Sequence, residues 1–492
     1  MSSIRVRMAP SPTGFIHIGN LRSALYNELF ARKHKGKLLL RIEDTDRSRY
    51  VPGAAEAYCR SIRALGLEID EGVWVDESGV ALLEKGDKGP YFQSKRQQKH
   101  FAYAQELIEK GFAYPCFCSE SELTDMREKQ MKAGLPTGYD GRCRSMDTDD
   151  AKKRIARGEK HVIRLAVPKD GEISFTDEIR GEVKFQWKQV DDQVIIKSDG
   201  MPTYHLAATC DDHDMEISHV IRGEEWLSST PKHLFIYECF GWKAPKFAHL
   251  PLLLNSDRSK LSKRQGDVAV EDYLAKGYLP QTLLNFIALL GWNPTGDREI
   301  YSHKELCEGF DLSKVNKSGA IVNFEKLDWM NGHYLKELDD EEWLEYTREE
   351  LRKLTHEECQ IGRIAKMIRE RVTNKTQIVN IAKDFIDHQP IDIELIPWKE
   401  QSKEDAGERL EAVLELLTIV KDDIWESPTK LEEKIKKMIE DRGWGNGEVL
   451  WPLRTALSAK QKSPPPFDLL YVRGKEQALE RLKQVIGALR DQ

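Results

Sequence analysis

Long apolar runs are missing from this 492-residue chain. Stretches such as residues 252–254 and 287–290 fall far short of the roughly 18–20 residues that cross a bilayer, so no membrane span is expected. The opening Met-Ser-Ser-Ile-Arg-Val-Arg has no apolar core of the kind that directs secretion, and a cytoplasmic protein is expected. A basic surplus is missing too. Lys and Arg number 75 against 82 Asp and Glu, a formal net charge of −7, which excludes gripping nucleic acid with the whole surface and leaves only local basic faces. Cysteine is sparse at eight residues. Cys59, Cys210, Cys239, Cys307 and Cys359 are scattered and read as core thiols in a compartment that disfavours disulfides. Internal repeats and low-complexity tracts are absent. What remains is ordinary for a globular enzyme of about three domains: 40% hydrophobic and 32% charged residues.

The first ~70 residues read as strand, turn, helix, strand. Ile4, Val6 and Met8 alternate with Arg5 and Arg7, a loop with Pro10, Pro12 and Gly14 follows, and Leu21, Leu25 and Leu29 mark one face of a helix that Gly36 closes. Residues 38–42 form a continuous apolar run bounded by charge, suited to a buried parallel strand. This β-α-β opening predicts a doubly wound α/β domain whose ligand lies beyond the carboxyl ends of its strands. Residues 91–210 change character, with short strands and a cysteine cluster, and read as an insertion. Residues 211–254 return to the strand-helix pattern, with a short strand at 220–222. The final third is helical by composition, with apolar helical spacing over 341–354 and 410–420, and a last helix over 475–489 after the prolines at 464–466.

Neither the dinucleotide-binding glycine pattern nor a P-loop occurs, so phosphates must be held by other means. Ser11-Pro12-Thr13-Gly14 followed by His17-Ile18-Gly19-Asn20 falls at the predicted strand-to-helix junction, where unpaired N–H groups favour an anion. Gly19 leaves room for a flat base at the backbone, and His17 can donate to a phosphate oxygen. Far downstream, Arg258 and Lys260-Leu261-Ser262-Lys263-Arg264 place four cations in seven positions, suited to a loop over a triphosphate. Cations there stabilise charge that grows on leaving pyrophosphate during attack at the α-phosphate.

In this order and separation, His-Ile-Gly-Asn and Lys-Leu-Ser-Lys-Arg resemble the two signatures of class I aminoacyl-tRNA synthetases. Residues 7–14 (RMAPSPTG), 41–46 (RIEDTD), 199–207 (DGMPTYHLA), 220–226 (VIRGEEW), 329–334 (WMNGHY) and 452–457 (PLRTAL) narrow the resemblance to bacterial-type glutamyl-tRNA synthetases. Asn20 stands where the broader class has a second histidine, and Ala208 where many relatives have asparagine. The resemblance implies an α/β fold: a Rossmann-type catalytic domain over 1–90 and 211–254, an acceptor-end-binding insertion over 91–210, a connecting stem-contact region with the lysine loop over 255–335, and an α-helical anticodon-binding region over 336–492. It implies ligation of L-glutamate to tRNA(Glu) in two steps through glutamyl-adenylate, with ATP as substrate and Mg²⁺ accompanying it.

His17 and Lys263 are then the expected catalytic groups, with Gly19, Asn20, Lys260, Ser262 and Arg264 also on ATP. Arg7, Ala9, Ser11, Glu43, Tyr204 and Arg222 are expected to surround glutamate: the arginines on its carboxylates, Glu43 and Tyr204 at its amino end. An arginine fork matches a carboxylate in shape and charge. Cys116, Cys118 and Cys143 have the spacing of a zinc knuckle. Related enzymes carry a histidine where this chain has Ser145, so Tyr139 is the alternative fourth ligand of a structural Zn²⁺. In the last third, residues 336–358 carry net −6 and residues 360–382 net +4. The second segment is a candidate basic face for RNA, although a pair of amphipathic helices would give the same contrast. Arg363 is its expected anticodon contact. A monomer is expected. Glutaminyl-tRNA synthetase is disfavoured because its C-terminal region is usually a β-barrel, and a shortened paralogue that glutamylates a tRNA base lacks this last third. A non-catalytic tRNA-binding relative is disfavoured because both phosphate motifs keep their His and Lys.

Overall fold

The computed structural model describes residues 3–261, 269–386, 390 and 392–491. The opening alternation forms β1 (Arg5–Met8), joined through α1 (Ile18–Lys33) to the parallel β2 (Lys37–Leu40). α2 (Ala54–Ala64) leads to β3 (Glu71–Val75), parallel to β2, and β4 (Leu82–Lys85) closes the edge antiparallel. Both faces of β1 are covered. Arg5 and Arg7, which alternation alone would leave in solvent, are 7% and 4% exposed. Arg5 meets Glu71 through a two-pronged pair at 2.8 and 2.9 Å, so its charge is compensated inside the core.

The chain then passes through α3 (Gln97–Glu109), β5 (Ala113–Cys116), α4 (Glu120–Lys132), α5 (Thr148–Ala156), β6 (Val162–Leu165), a hairpin of β7 (Glu172–Asp177) with β8 (Gly181–Gln186), and β9 (Val194–Ile196). β5, β6 and β9 form a small antiparallel sheet packed on Leu107, Trp187 and Phe235. α6 (Tyr204–Asp214), β10 (His219–Gly223), α7 (Thr230–Phe240) and β11 (Lys246–Leu250) restore the α/β pattern, with β10 and β11 parallel. β10 starts where the Ser218 amide donates to the Arg5 carbonyl, so the returning strands abut β1. β7, from the segment expected to be an insertion, pairs with β11 at Phe247↔Asp177 and completes the order β10-β11-β7-β8. The short β12 (Leu253–Leu254), α8 (Val270–Ala275), α9 (Pro280–Ala288), α10 (His303–Gly309) and β13 (Ala320–Ile321) follow.

Packing divides the chain into one unit of residues 1–274 with 280–324 and a second of 275–279 with 325–492. The second is helical: α11 (Phe324–Glu337), α12 (Asp340–Leu351), α13 (Glu358–Ile368), α14 (Lys375–Ile386), α15 (Lys403–Ile419), α16 (Pro428–Asp441), α17 (Asn446–Ser458) and α18 (Pro466–Arg490). The last helix begins nine residues before the expected start and bends at Gly474, whose φ of 73° and ψ of 172° are non-helical. No helix among the described residues is long and apolar enough to cross a membrane. The scattered cysteines divide. Cys59, Cys210 and Cys239 are core thiols as expected, whereas Cys359 is exposed and Cys307 is half-buried. Cys307 lies 3.9 Å from His303 Nε2, which pairs with Glu28 at 2.9 Å, because α10 presents a polar edge to α1.

Candidate active site

A cavity of about 640 Å³ opens beyond the carboxyl ends of β1 and β10, where a doubly wound sheet places its ligand. Arg7, Ala9, Ser11, Asn20, Glu43, Tyr204 and Arg222 all line it. Seven residues expected at substrate thus meet in one pocket, although 215 positions separate the first from the last.

Two buried guanidinium groups are held in contrasting ways. Arg7 Nε donates to both oxygens of Asp212, at 3.1 and 3.2 Å. Its two terminal nitrogens make no hydrogen bond among the described residues, and Arg7 lines the cavity, so its fork is open to an anion. Asp212 is shared with the fully buried Arg41 at 2.8 Å, and Arg41 also reaches Glu43 at 3.1 Å. Burial pushes the Glu43 carboxyl up, against the pull of Arg41 and Arg7. The pocket therefore carries a buried carboxylate, paired with Arg41, beside an open fork, a pattern that suits an ammonium next to a carboxylate.

Arg222 is 6% exposed, and no carboxylate touches it among the described residues. Each of its five N–H groups finds a neutral acceptor: Nε on His249 Nε2 at 3.1 Å, Nη1 on the Tyr204 hydroxyl at 2.8 Å and His233 Nδ1 at 3.3 Å, Nη2 on Thr230 Oγ1 at 2.9 Å and the Trp226 carbonyl at 3.3 Å. A buried cation without an anion is expensive, so the arrangement calls for an anionic ligand. Because the guanidinium is filled, a carboxylate reaches it by taking over one of the two 3.3 Å bonds. Tyr204 accepts from Arg222, which leaves its own proton to donate. Burial raises its pKa, so the proton stays on. His205 and His233 stand behind, 3.3 Å apart and kept neutral chiefly by burial: His205 is pushed down to about 3, and His233 well below its ordinary value.

His17 is the N-cap of α1. Its Nδ1 accepts from the amides of Gly19 and Asn20 at 3.1 and 3.3 Å. In the neutral ring the proton is then on Nε2, the nitrogen that donates. Gly19 also gives the capping imidazole its room, since an added Cβ would lie 3.1 Å from the His17 ring. Ala269 pairs with His17 as an isolated bridge, and the Val270 amide donates to the Ile16 carbonyl at 3.0 Å. Chain from the far end of the lysine motif is thus fastened beside the first signature. Lys260 is exposed and paired with Leu254 in a tight turn where Arg258 has a φ of 65°. Ser262, Lys263 and Arg264 lie outside the described residues.

The sulfur atoms of Cys116, Cys118 and Cys143 all lie within 4.8 Å of one another. The Tyr139 hydroxyl is 3.3 Å from Cys116 and 3.6 Å from Cys118, and accepts from the Cys143 amide at 3.0 Å. Three thiols and one oxygen converge on one point, a donor set that fits tetrahedral Zn²⁺. In the second unit, Arg363 pairs with Glu426 at 3.0 Å and lies over the Tyr471 ring. Part of the charge contrast between residues 336–358 and 360–382 is used internally, since Arg369 pairs with Asp340 and Lys336 with Glu370.

Arg41, Asp212, His249, Asp177 and Thr230 were not singled out from sequence. The signals were present but mute. Asp212 belongs to the run Asp211-Asp212-His213-Asp214, whose first two members are buried, and His249 interrupts the otherwise apolar core of β11.

The chain is similar to known proteins along nearly its whole length. The family model for the catalytic domain of class I tRNA synthetases (E and Q) matches residues 3–329, and an anticodon-binding-domain model matches residues 333–486. A glutamate–tRNA ligase of Finegoldia magna is 43% identical, over 99% of this chain and 100% of its own. One from Alkaliphilus metalliredigens is 42% identical over 99% of both. The crystal structure of a glutamate tRNA ligase from Elizabethkingia meningosepticum, in complex with its amino acid, superposes with a TM-score of 0.87 at 34% identity, over 99% of this chain and 100% of its own.

Proposed function

The chain belongs to the glutamate–tRNA ligase family of class I aminoacyl-tRNA synthetases, and from that premise we propose how its own residues carry the reaction. The enzyme attaches L-glutamate to tRNA(Glu) at the expense of ATP. The observation that carries the residue assignment is the pocket's pairing of two buried guanidinium groups with one buried carboxylate at the N-terminus of a helix.

In this reading the Arg7 fork takes one glutamate carboxylate and Arg222 the other, while Glu43 meets the ammonium. Tyr204, expected at the amino end, is placed beside Arg222 instead, because its hydroxyl accepts from that guanidinium at 2.8 Å and keeps a proton to donate to the carboxylate. Ala9 and Ser11 form the wall between glutamate and nucleotide. The α-carboxylate oxygen attacks the α-phosphorus of ATP. A bond forms to that oxygen as the bond to pyrophosphate breaks, giving glutamyl-adenylate. His17 Nε2–H donates to a phosphate oxygen, with Asn20 beside it. Lys260, Ser262, Lys263 and Arg264 stabilise the charge that accumulates on pyrophosphate. Mg²⁺ enters as the counter-ion of the ATP phosphates. The terminal ribose hydroxyl of the tRNA then attacks the adenylate carbonyl, and AMP leaves. Positioning and charge stabilisation supply the rate, without a side-chain nucleophile.

Glutamine is rejected because its neutral amide leaves a buried guanidinium unpaired, a loss of roughly 3–5 kcal/mol. The helical second unit supports the glutamyl over the glutaminyl reading. Residues 91–210 serve as the acceptor-end-binding insertion within 1–90 and 211–254, 255–335 as the stem-contact region, and 336–492 as the anticodon region with Arg363 near the bases. Cys116, Cys118, Cys143 and Tyr139 hold a structural Zn²⁺ that ties β5 to the loop before α5. The enzyme works as a monomer in the cytoplasm.

Charging of purified tRNA(Glu) and tRNA(Gln) by wild-type and Lys263→Ala enzyme tests this reading. The substitution should cost on the order of 3–4 kcal/mol in turnover, with tRNA(Glu) the substrate. Normal turnover by Lys263→Ala would overturn the role given to the lysine loop.

A further inference from the structure

The register of three adjacent strands places Arg222 of β10 opposite His249 of β11, and Phe247 of β11 opposite Asp177 at the end of β7. Asp177, His249 and Arg222 form a continuous chain, and neither the Asp177 nor the His249 side chain has any exposed surface. A guanidinium only donates, so His249 Nε2, 3.1 Å from Arg222 Nε, must carry a lone pair. The proton therefore sits on Nδ1 and is given to Asp177 Oδ2 at 2.6 Å. The other oxygen of Asp177 accepts the amides of Ile179 and Arg180 at 3.0 and 2.9 Å, which stops the carboxylate from turning. One tautomer of His249 satisfies every bond.

We propose that Asp177 and His249 are positioning residues that fix the Arg222 guanidinium for its anionic substrate and act only while His249 is neutral. This rests on the reading that Arg222 meets glutamate. The physical reason for an intermediary is charge. A carboxylate bound directly to Arg222 would spend its attraction for the substrate. Asp177 sits one imidazole away, so it orients the guanidinium without occupying it. Arg7 differs, with Asp212 directly on its Nε.

The charged and titratable groups facing His249 are Asp177, Arg180 in the turn after β7, and Arg222. Thr230 Oγ1 lies 3.3 Å from Nε2, and His233 of α7 stands across Arg222. Burial, with Arg222 and Arg180, outweighs Asp177 and keeps the imidazole below its ordinary pKa. Protonation would turn Nε2 into a second donor aimed at Arg222 and release the guanidinium.

The test is glutamate-dependent ATP–pyrophosphate exchange in the presence of tRNA(Glu), with KM for glutamate and for ATP measured over roughly pH 5 to 8. His249→Leu and Asp177→Asn should each raise KM for glutamate about tenfold or more and leave KM for ATP within about twofold. His249→Gln, whose amide oxygen can accept from Arg222 without titrating, should keep a near-normal KM and lose the rise in KM expected of the wild type as falling pH protonates His249. Arg222→Ala is the control. If it leaves KM for glutamate unchanged, the assignment of Arg222 to the glutamate pocket falls and takes this proposal with it. If Arg222→Ala raises KM but His249→Leu does not, the positioning role alone is overturned. A rise in both KM values that His249→Gln shares would mark a packing residue, which also overturns it. Thermal midpoints of all variants identify any that fail to fold, and the comparison of His249→Gln with His249→Leu decides if Asp177→Asn does not fold.

Discussion

Buried arginines do most of the organising at the residue scale, and each is matched differently. Arg5 is fully compensated by Glu71, which also takes Lys37 at 2.7 Å. The Arg5 fork, helped by Lys37 and opposed by burial, holds the Glu71 carboxyl at about 2, below the usual carboxylate range. A depressed folded pKa means that this stabilisation is present above the unfolded value of about 4.3 and fades as pH falls through about 2. Glu71→Gln should therefore flatten the acid limb of urea-unfolding free energy between those values, a component of roughly 3 kcal/mol. An unchanged limb would show that other carboxylates carry it. Arg222 is the opposite case, a buried cation surrounded by neutral acceptors. Arg222→Ala should raise KM for glutamate steeply and spare ATP, as measured by pyrophosphate exchange.

Register and bends create the contacts at the element scale, and here sequence reading reached its limit. Arg7 was legible because it is the last charged residue of β1 and so lies near the carboxyl end of the strand, and the parallel β1–β2 pair and the α1 helix were legible from the apolar run over 38–42 and the helical period before it. The Arg41–Asp212 clamp was not, since α6 brings its carboxylate from 171 positions away. His249 and Asp177 meet Arg222 only through the order β10-β11-β7, which no local pattern encodes. The bend in α18 was half legible: the helix over 475–489 was expected, whereas the turns before Gly474 were hidden behind the prolines. Gly474 occupies a backbone region open essentially to glycine alone, and a Cβ there would lie 2.7 Å from Arg363 Nη1. Gly474→Ala should cost about 1–3 kcal/mol, read as a lowered urea midpoint. The double variant with Arg363→Ala should recover only the steric part and leave the backbone strain.

The molecule as a whole combines an α/β unit that carries the pocket with a helical unit that carries the contrast between acidic and basic segments. The acidic total and the basic stretch over 360–382 are compatible because the cations are gathered locally: Lys366 and Arg371 are exposed beside the rings of Tyr471 and Phe385, and Lys375 is half-buried against Tyr346. Metal analysis bears on the α/β unit. Purified enzyme should contain about one zinc per chain, and Cys116→Ser should lose it. A zinc content near zero would remove the metal from the account.

In the proposed function, one pocket both discriminates glutamate by its charge and activates it with ATP. Pyrophosphate exchange with tRNA(Glu) present, run with L-glutamate and with L-glutamine on wild-type and Arg7→Ala enzyme, tests it most directly. Glutamate should exceed glutamine by at least about a hundredfold in kcat/KM, and Arg7→Ala should erase most of that preference. Equal use of both amino acids by the wild type, or a preference that survives Arg7→Ala, would contradict it.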